Sequence, residues 1–340
     1  VVLSIFENLS LISMKRQNWQ LFLTITLAIL LVISLSYWAF WTAMRAETNL
    51  RYTGLQTAIA THLENTIKGM EMSAVNVFNA VENNLDSPDA VIAALQSEAP
   101  LNPNVLGYFA AFEPYYFKSE GHWFEPYVHH IGNDPYQTSL VGSDTHDYIN
   151  SPWYVSAKKT KKTFWSDPYY YYDGTDISGH YITFVKPIYD KKGQLVCVCG
   201  ADVTFDWLDK ELERINESCR QAPQVNKYMM GRNLDFYSVV MNKEGVCILH
   251  PSEKYVPLDD VHVLDDVKNG QTGMTQMKIE GEPCTLYYGP IESLEWSVFL
   301  AIPTFDVQKP FLYVGAALAL LAAIAILMAY VICRRLRLQA

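Results

Sequence analysis

The sequence lacks most of what would mark an enzyme or a nucleic-acid binder. Its 340 residues carry 26 Lys and Arg against 36 Asp and Glu, a net charge of −10, so no basic excess exists to neutralise phosphates. The one basic run, Lys158, Lys159, Lys161 and Lys162, is short and reads as a solvated helix end. Six cysteines make no disulfide framework in a chain this long. Cys197 and Cys199 lie two apart on an expected strand, so they share a face and read as core. Cys247 and Cys284 fall on two later strands and pair only if those strands are neighbours. No phosphate-cradling glycine loop, nucleophile elbow or zinc-helix motif occurs. The chain is therefore read as a non-enzyme with no cofactor. His122, His129, His130 and His146 form a poor metal set, because adjacent residues on a strand point to opposite faces.

Charge is also missing from two long runs. Residues 19–43 and 311–333 contain no ionisable acid or base other than tyrosine and cysteine, and each is long enough to cross about 30 Å of hydrocarbon at 1.5 Å per residue. Trp19 sits at one edge of the first run and Tyr37, Trp38 and Trp41 at the other, as interfacial aromatic belts do. A cleaved signal peptide would have a shorter apolar core ending in small residues. Lys15 and Arg16 precede the first run, and Arg334, Arg335 and Arg337 follow the second. Basic flanks of this kind stay cytoplasmic, so both termini are expected inside and residues from about 44 to 310 outside. Arg45 and Arg51 argue weakly the other way.

What is present between the spans reads as two α+β modules. From Met44 to Asn84 there is no proline, and Leu55, Ile59, Leu63, Ile67, Met70, Ala74, Val77 and Val81 recur at helical spacing. This predicts one long stalk helix over 44–84, continuous with the first span. Ser87-Pro88 then starts a short helix through Gln96. Strands are expected over 105–112 and 122–130, a loop over 132–147, a helix over 152–159 and a strand from Phe164. A hairpin over 180–205 turns at Asp190-Lys191-Lys192-Gly193, and a helix follows over 206–216. A smaller set repeats the pattern: a hairpin over 236–250, a helix over 259–268, and strands over 273–279, 284–289 and 296–302. The expected domains are a cytoplasmic 1–18, a span over 19–43, the stalk over 44–84, a distal module over 85–217, a proximal module over 218–304, a return helix with its span over 305–333, and a stub over 334–340.

Aromatic rings concentrate between Tyr148 and Asp202. Trp165 to Tyr172 alone holds five rings in eight residues (Trp165, Tyr169, Tyr170, Tyr171 and Tyr172). A strand cannot bury that many tyrosines without giving some hydroxyls a partner, a pocket or water. The expectation is a half-open pocket with aromatic walls and a few fixed polar groups.

The order of local motifs carries a resemblance. Pro152-Trp153-Tyr154 with Ala157, Trp165 with Pro168-Tyr169, Pro187-Ile188-Tyr189-Asp190 with Gly193, and Gly200-Ala201-Asp202-Val203 follow one another as in the double Cache (dCache) extracytoplasmic sensor domain. The stretch Asp235 to Pro251 resembles that family's second module. The resemblance covers nearly everything between the spans. It implies a long helix followed by two PAS-like antiparallel-sheet modules, a ligand pocket in the distal one, a homodimer, and a cytoplasmic output module beyond this chain: a histidine kinase, nucleotide cyclase, chemoreceptor or PPM-type phosphatase. The wording around residues 108–124 and 142–153 is similar to sensors fused to PPM-type phosphatases. A bacterial inner membrane is implied.

Amino-acid-binding members of the family place a Tyr and an Arg ahead of the Trp-Tyr pair, and a later Asp that takes the ligand ammonium. Here the matching positions are Asp144, Ser151 and Asp202. The bidentate grip on a ligand carboxylate is thus absent, while the ammonium acceptor remains. With Asp144, Asp173 and Asp202 nearby and no local Arg, an amine, amino-acid-like or neutral ligand is expected, stacked on rings. The candidate site is Trp153, Tyr154, Trp165, Tyr169, Asp173, Asp202, Asp144 and Tyr148. The competing readings are a non-sensing scaffold or adhesion ectodomain and an extracytoplasmic enzyme.

Overall fold

A computed structural model describes residues 2–132, 134–171, 178–221, 236–249, 261–279 and 281–339, with side chains between 19 and 335 apart from that of Val261. Tyr172, Asp173, His250 and the start of the helix expected at 259 lie outside the described residues.

Helix α1 runs without a break from Val2 to Glu82. The stripe Leu55, Ile59, Leu63, Ile67, Met70, Ala74, Val77 and Val81 is buried throughout, so the expected amphipathic face is the packing face. A turn over 83–86 ends the helix, and Ser87 restarts it. Its hydroxyl accepts from Ala90 N at 3.2 Å with Pro88 in the first turn, opening α2 (Pro88–Glu98).

The first sheet has seven strands. They are β1 (Gly107–Phe112), β2 (Pro126–His129), β3 (Gln137–Leu140), β4 (Phe164–Trp165), β5 (Tyr169–Tyr171), β6 (Gly179–Tyr189) and β7 (Leu195–Thr204). The order is β3-β2-β1-β7-β6-β4, with β5 also on β6, and each pairing with a described register is antiparallel. β1 and β7 are buried along nearly their whole length, and α3 (Pro152–Thr160) packs over β6 and β7. The residue 55–82 part of α1 packs on the same sheet: Phe78 stacks on Phe184 at 6.2 Å, and Ser73 bonds the Tyr108 hydroxyl at 3.1 Å.

Two local expectations are corrected. Residues 122–125 are not strand; β2 starts at Pro126. The loop expected over 132–147 contains edge strand β3, whose polar, mostly exposed sequence carries no alternation to reveal it.

After α4 (Phe205–Gln221) come β8 (Tyr237–Asn242), β9 (Cys247–Leu249), α5 (Val261–Lys268), β10 (Gly273–Ile279), β11 (Glu282–Ile291) and β12 (Trp296–Pro303). The second sheet runs β10-β11-β12-β8-β9. The two hairpins use the same turn chemistry. Asp190 Oδ1 accepts from Lys192 N and Gln194 N before Gly193 (φ +78°), and Asn242 Oδ1 accepts from Glu244 N and Val246 N before Gly245 (φ +77°). Cys247 and Cys284 lie on β9 and β11, which are not neighbours in the sheet. The fold class is α+β.

The chain divides into two compact units. One comprises residues 1–54, 275–286 and 302–340; the other comprises 55–274 and 287–301. In the first, α1 and α6 (Thr304–Gln339) touch through Tyr37, whose hydroxyl donates to Phe311 O at 3.5 Å, and through Phe22 against Tyr330. Both helices are long and apolar enough to cross a membrane. Leu27, Leu31, Leu320 and Leu327 on them are exposed, which suits lipid and not a buried hairpin of a soluble core.

Candidate functional site

The site is built on one face of the first sheet, inside the second unit. On β1, Gly107 pairs with Asp202 of β7 and His129 of β2, and Phe109 pairs with Gly200 and Tyr127. Side chains alternate faces along a strand, so Phe109, Tyr127 and Asp202 share one. Gly200 is required there: a Cβ would lie 2.1 Å from Phe109 Cζ. Its absence lets the Phe109 ring lie across β7 and reach Trp153 at 4.9 Å. Pro152 fixes the first turn of α3, and Trp153 on that turn roofs the space.

The result is a chamber of about 40 Å³, room for roughly three water molecules. Phe109, Tyr127, Trp153, Tyr169, Tyr171 and Tyr181 wall it. Glu125, Asp202, His146 and Val141 complete the lining, which among the described residues holds no Lys, Arg, Ser, Thr or Cys. His146, Trp153, Tyr169 and Tyr171 also line a wider cleft of about 1110 Å³, bounded on its other side by residues 242–244 and 292–296. The four rings therefore stand between chamber and cleft.

Asp202 is 8 % exposed. Its Oδ1 accepts from Thr183 Oγ1 at 2.7 Å, and the Tyr169 hydroxyl lies 2.7 Å from the same Oγ1. Burial pushes the Asp202 pKa up to about 7; hydrogen bonds from Thr183, Tyr127 and Tyr169 resist the rise, and the Glu125 charge adds to it. Burial, followed by the Asp202 charge, holds the Tyr127 and Tyr169 hydroxyls well above the ordinary tyrosine value.

Glu125 is 2 % exposed. Burial raises its pKa and His146 pulls it back. His146 Nε2 is 3.2 Å from Glu125 Oε2, close enough to favour the ionised carboxylate against its burial. The loop holding His146 is pinned reciprocally: His146 N donates to Ser143 Oγ at 3.0 Å and Ser143 N to His146 O at 3.1 Å. Its ring stands edge-on to Tyr171 at 5.0 Å.

The structure brings Trp153, Tyr169 and Asp202 together in the chamber. Trp165 lines only the cleft; its Nε1 donates to Glu71 Oε1 of α1 at 2.7 Å and its ring packs on Phe184. Tyr154 and Tyr148 are fully buried and point elsewhere. The Tyr154 hydroxyl donates to Glu113 Oε1 at 2.8 Å, and that of Tyr148 to Phe112 O at 2.7 Å. Asp144 is exposed and outside the lining. Asp173 lies outside the described residues. Glu125, Tyr127 and Tyr181 were not singled out from sequence. The signal available was Glu125 itself, a lone acid in the apolar run Trp123-Phe124-Glu125-Pro126-Tyr127-Val128. No group of His, Cys, Asp or Glu among the described residues has metal-site geometry.

Residues 91–210 match the family of first PDC sensor domains of proteins like methyl-accepting chemotaxis proteins. The periplasmic sensory domain of the Campylobacter jejuni chemoreceptor Tlp1 aligns with 78 % of this chain and 99 % of its own, at 15 % identity and a TM-score of 0.60. This is a double Cache, PDC-type sensor fold. The extracellular domain mmHK1S-Z3, from a protein assigned to the histidine kinases, shares the Cache fold over 77 % of this chain and 97 % of its own, at 19 % identity and a TM-score of 0.62. The ligand-binding domain of the Pseudomonas fluorescens chemoreceptor CtaA, in complex with L-isoleucine, does so over 79 % and 97 %, at 17 % identity and 0.53. No curated protein matches the sequence. The family match covers β1 to β7, so the chamber lies within the PDC module.

Proposed function

We propose that this Cache chain is the sensing region of a two-span membrane receptor, and that its distal module holds a small ammonium ligand against Asp202. The observation that carries the ligand class is the lining: two buried carboxylates, aromatic walls and, among the described residues, no guanidinium or lysine ammonium. A cation gains both the carboxylate charge and the ring faces. The carboxylate of an amino acid such as the isoleucine bound by CtaA would meet Glu125 and Asp202, with no Lys or Arg among the described lining residues to offset them. The chamber is also too small for a branched amino acid unless it opens.

In this reading Asp202 takes the ammonium, Tyr127 and Tyr169 orient that carboxylate, and Trp153 covers the ligand from α3. Residues 44–310 lie outside the membrane with both termini inside, and the chain acts as a homodimer. Ligand binding shifts the balance between two arrangements of the sheet. The Trp165–Glu71 bond links the strand beside the chamber to α1, which runs on unbroken into the first apolar segment and so carries the change toward a cytoplasmic output module.

The test is thermal unfolding of the full chain in detergent with small alkylamines and with amino acids. At a hundred times its dissociation constant a ligand stabilises by about 2.7 kcal/mol. Stabilisation by amines that vanishes in Asp202→Asn and Trp153→Ala is expected. Stabilisation by amino acids alone, or hits indifferent to both substitutions, would remove the assignment.

A further inference from the structure

The cleft beside the chamber, of about 1110 Å³, lies at the upper end of the size range of small-molecule sites, about 300–1,000 Å³. Two bonds to α1 hold it open. On the wall formed by β4 and β5, Trp165 Nε1 donates to Glu71 Oε1 at 2.7 Å. On the opposite wall, in the short helical turn after β11 (Glu292–Leu294), Ser293 Oγ and N donate to Glu64 Oε1 and Oε2 at 2.7 and 3.2 Å. Glu64 and Glu71 are seven residues apart on one unbroken helix, about 10 Å. The walls are therefore fixed to separate points of the same rod, and the space between them is built into the fold.

Ring placement and charge define what fits. Among the described residues, β4 and β5 pair with β6 alone, at the edge of the sheet. Trp165 is opposite Phe184 of β6, and Tyr170 is opposite His180. Those positions differ by four residues, so both rings lie on one face, about 13 Å apart along β6. The Tyr170 ring is 58 % exposed. Charges of both signs face the cleft: Lys162 and Lys243 with Asp167, Glu244, Glu292 and Glu295. Lys243 Nζ already holds Glu295 Oε2 at 2.7 Å. An ion of either sign would meet like charge there.

We infer that the cleft is a second ligand site, separate from the chamber, and that it takes a neutral oligosaccharide of about three rings, the length that the spacing of Trp165 and Tyr170 admits. The carbon–hydrogen face of a sugar ring stacks on an aromatic ring. Its hydroxyls donate to carboxylates and accept from ammonium groups, so one uncharged ligand satisfies both walls. The inference uses neither Asp202 nor Glu125 and stands apart from the amine reading.

The experiment is a tryptophan-fluorescence titration of the full chain, in a detergent without a sugar headgroup, with maltotriose, cellotriose and triacetylchitotriose up to about 10 mM. Trp165 and Trp296 line the cleft and report its occupancy. At least one of the three sugars is expected to give a saturable change. Tyr170→Ala is expected to weaken that sugar about tenfold and Glu292→Gln at least threefold; both side chains are exposed, so neither exchange disturbs the core. Lys159→Ala, exposed and outside the lining, is expected to keep the wild-type affinity. A chain that responds to none of the three sugars overturns the inference. So does a response unchanged by both Tyr170→Ala and Glu292→Gln. Neither result bears on amine binding in the chamber.

Discussion

Asp202 is an acid sealed among hydroxyls, and its titration follows from that. Its ordinary pKa is about 3.9, and in the folded chain it is about 7. The native state therefore keeps a proton between these values that the unfolded chain has released. Stability falls as pH rises from about 4 to about 7 and is level above. A shift of this size corresponds to something on the order of 4 kcal/mol. Asp202→Asn is expected to lose this dependence and to exceed wild type in stability at pH 8, with the gap closing toward pH 4; denaturant midpoints across that range report it. Ligand affinity runs the other way. An ammonium needs the ionised acid, so binding weakens by up to tenfold per pH unit below about 7, a trend absent in Asp202→Asn. Tyr154 is the contrasting residue. Tyr154→Phe removes the bond to Glu113, at a cost of about 1.5–3 kcal/mol for a charge-assisted bond. Amine affinity is expected to stay within about twofold, because the hydroxyl faces away from the chamber. A large loss of binding would return Tyr154 to the site.

At the scale of elements, the chamber exists because α3 and the facing side chains of β1, β2, β5, β6 and β7 leave a gap of defined shape. Gly200 on β7 is the key to it. Gly200→Ala places a methyl on the Phe109 ring, which is already packed under Trp153. The ring must move into the chamber. The expected outcome is a destabilisation of about 1–3 kcal/mol by overpacking together with loss of amine binding, read by denaturant unfolding and by titration. Unchanged binding would show that the chamber is not the ligand site. The helices around it were readable in the chain because their signals are local: the 3–4 spacing of the α1 stripe, Ser87-Pro88 at α2, Pro152 at α3. β3 was not, because an exposed edge strand of four residues has no buried face to impose alternation.

At the scale of the whole molecule, the two apolar helices and the Cache modules make one prediction about sidedness. Met72 is on the exposed side of α1. In intact cells Met72→Cys is expected to react with a membrane-impermeant thiol reagent, above the background of the parent chain, and a cysteine placed at Gln339 is expected to stay protected until the membrane is opened. The reverse pattern would invert the orientation argued from Lys15, Arg16 and the arginines after Cys333.

The amino-acid sequence by itself determined the two long apolar helices, the amphipathic face of α1 and most strands of the two sheets, each from periodicity or charge along the chain; Trp153 and Asp202 were pointed to by the family resemblance. Only the tertiary structure decided which tyrosines the pocket uses. Tyr148 and Tyr154 sit closest to Trp153 in sequence, yet their hydroxyls find backbone and Glu113 in the core. Tyr127, Tyr181 and Glu125 come from strands β2 and β6 or the residue just before them. They join Asp202 because antiparallel pairing across β1 and β7 sets their register. Register is a property of paired strands, and a single strand read alone does not carry it.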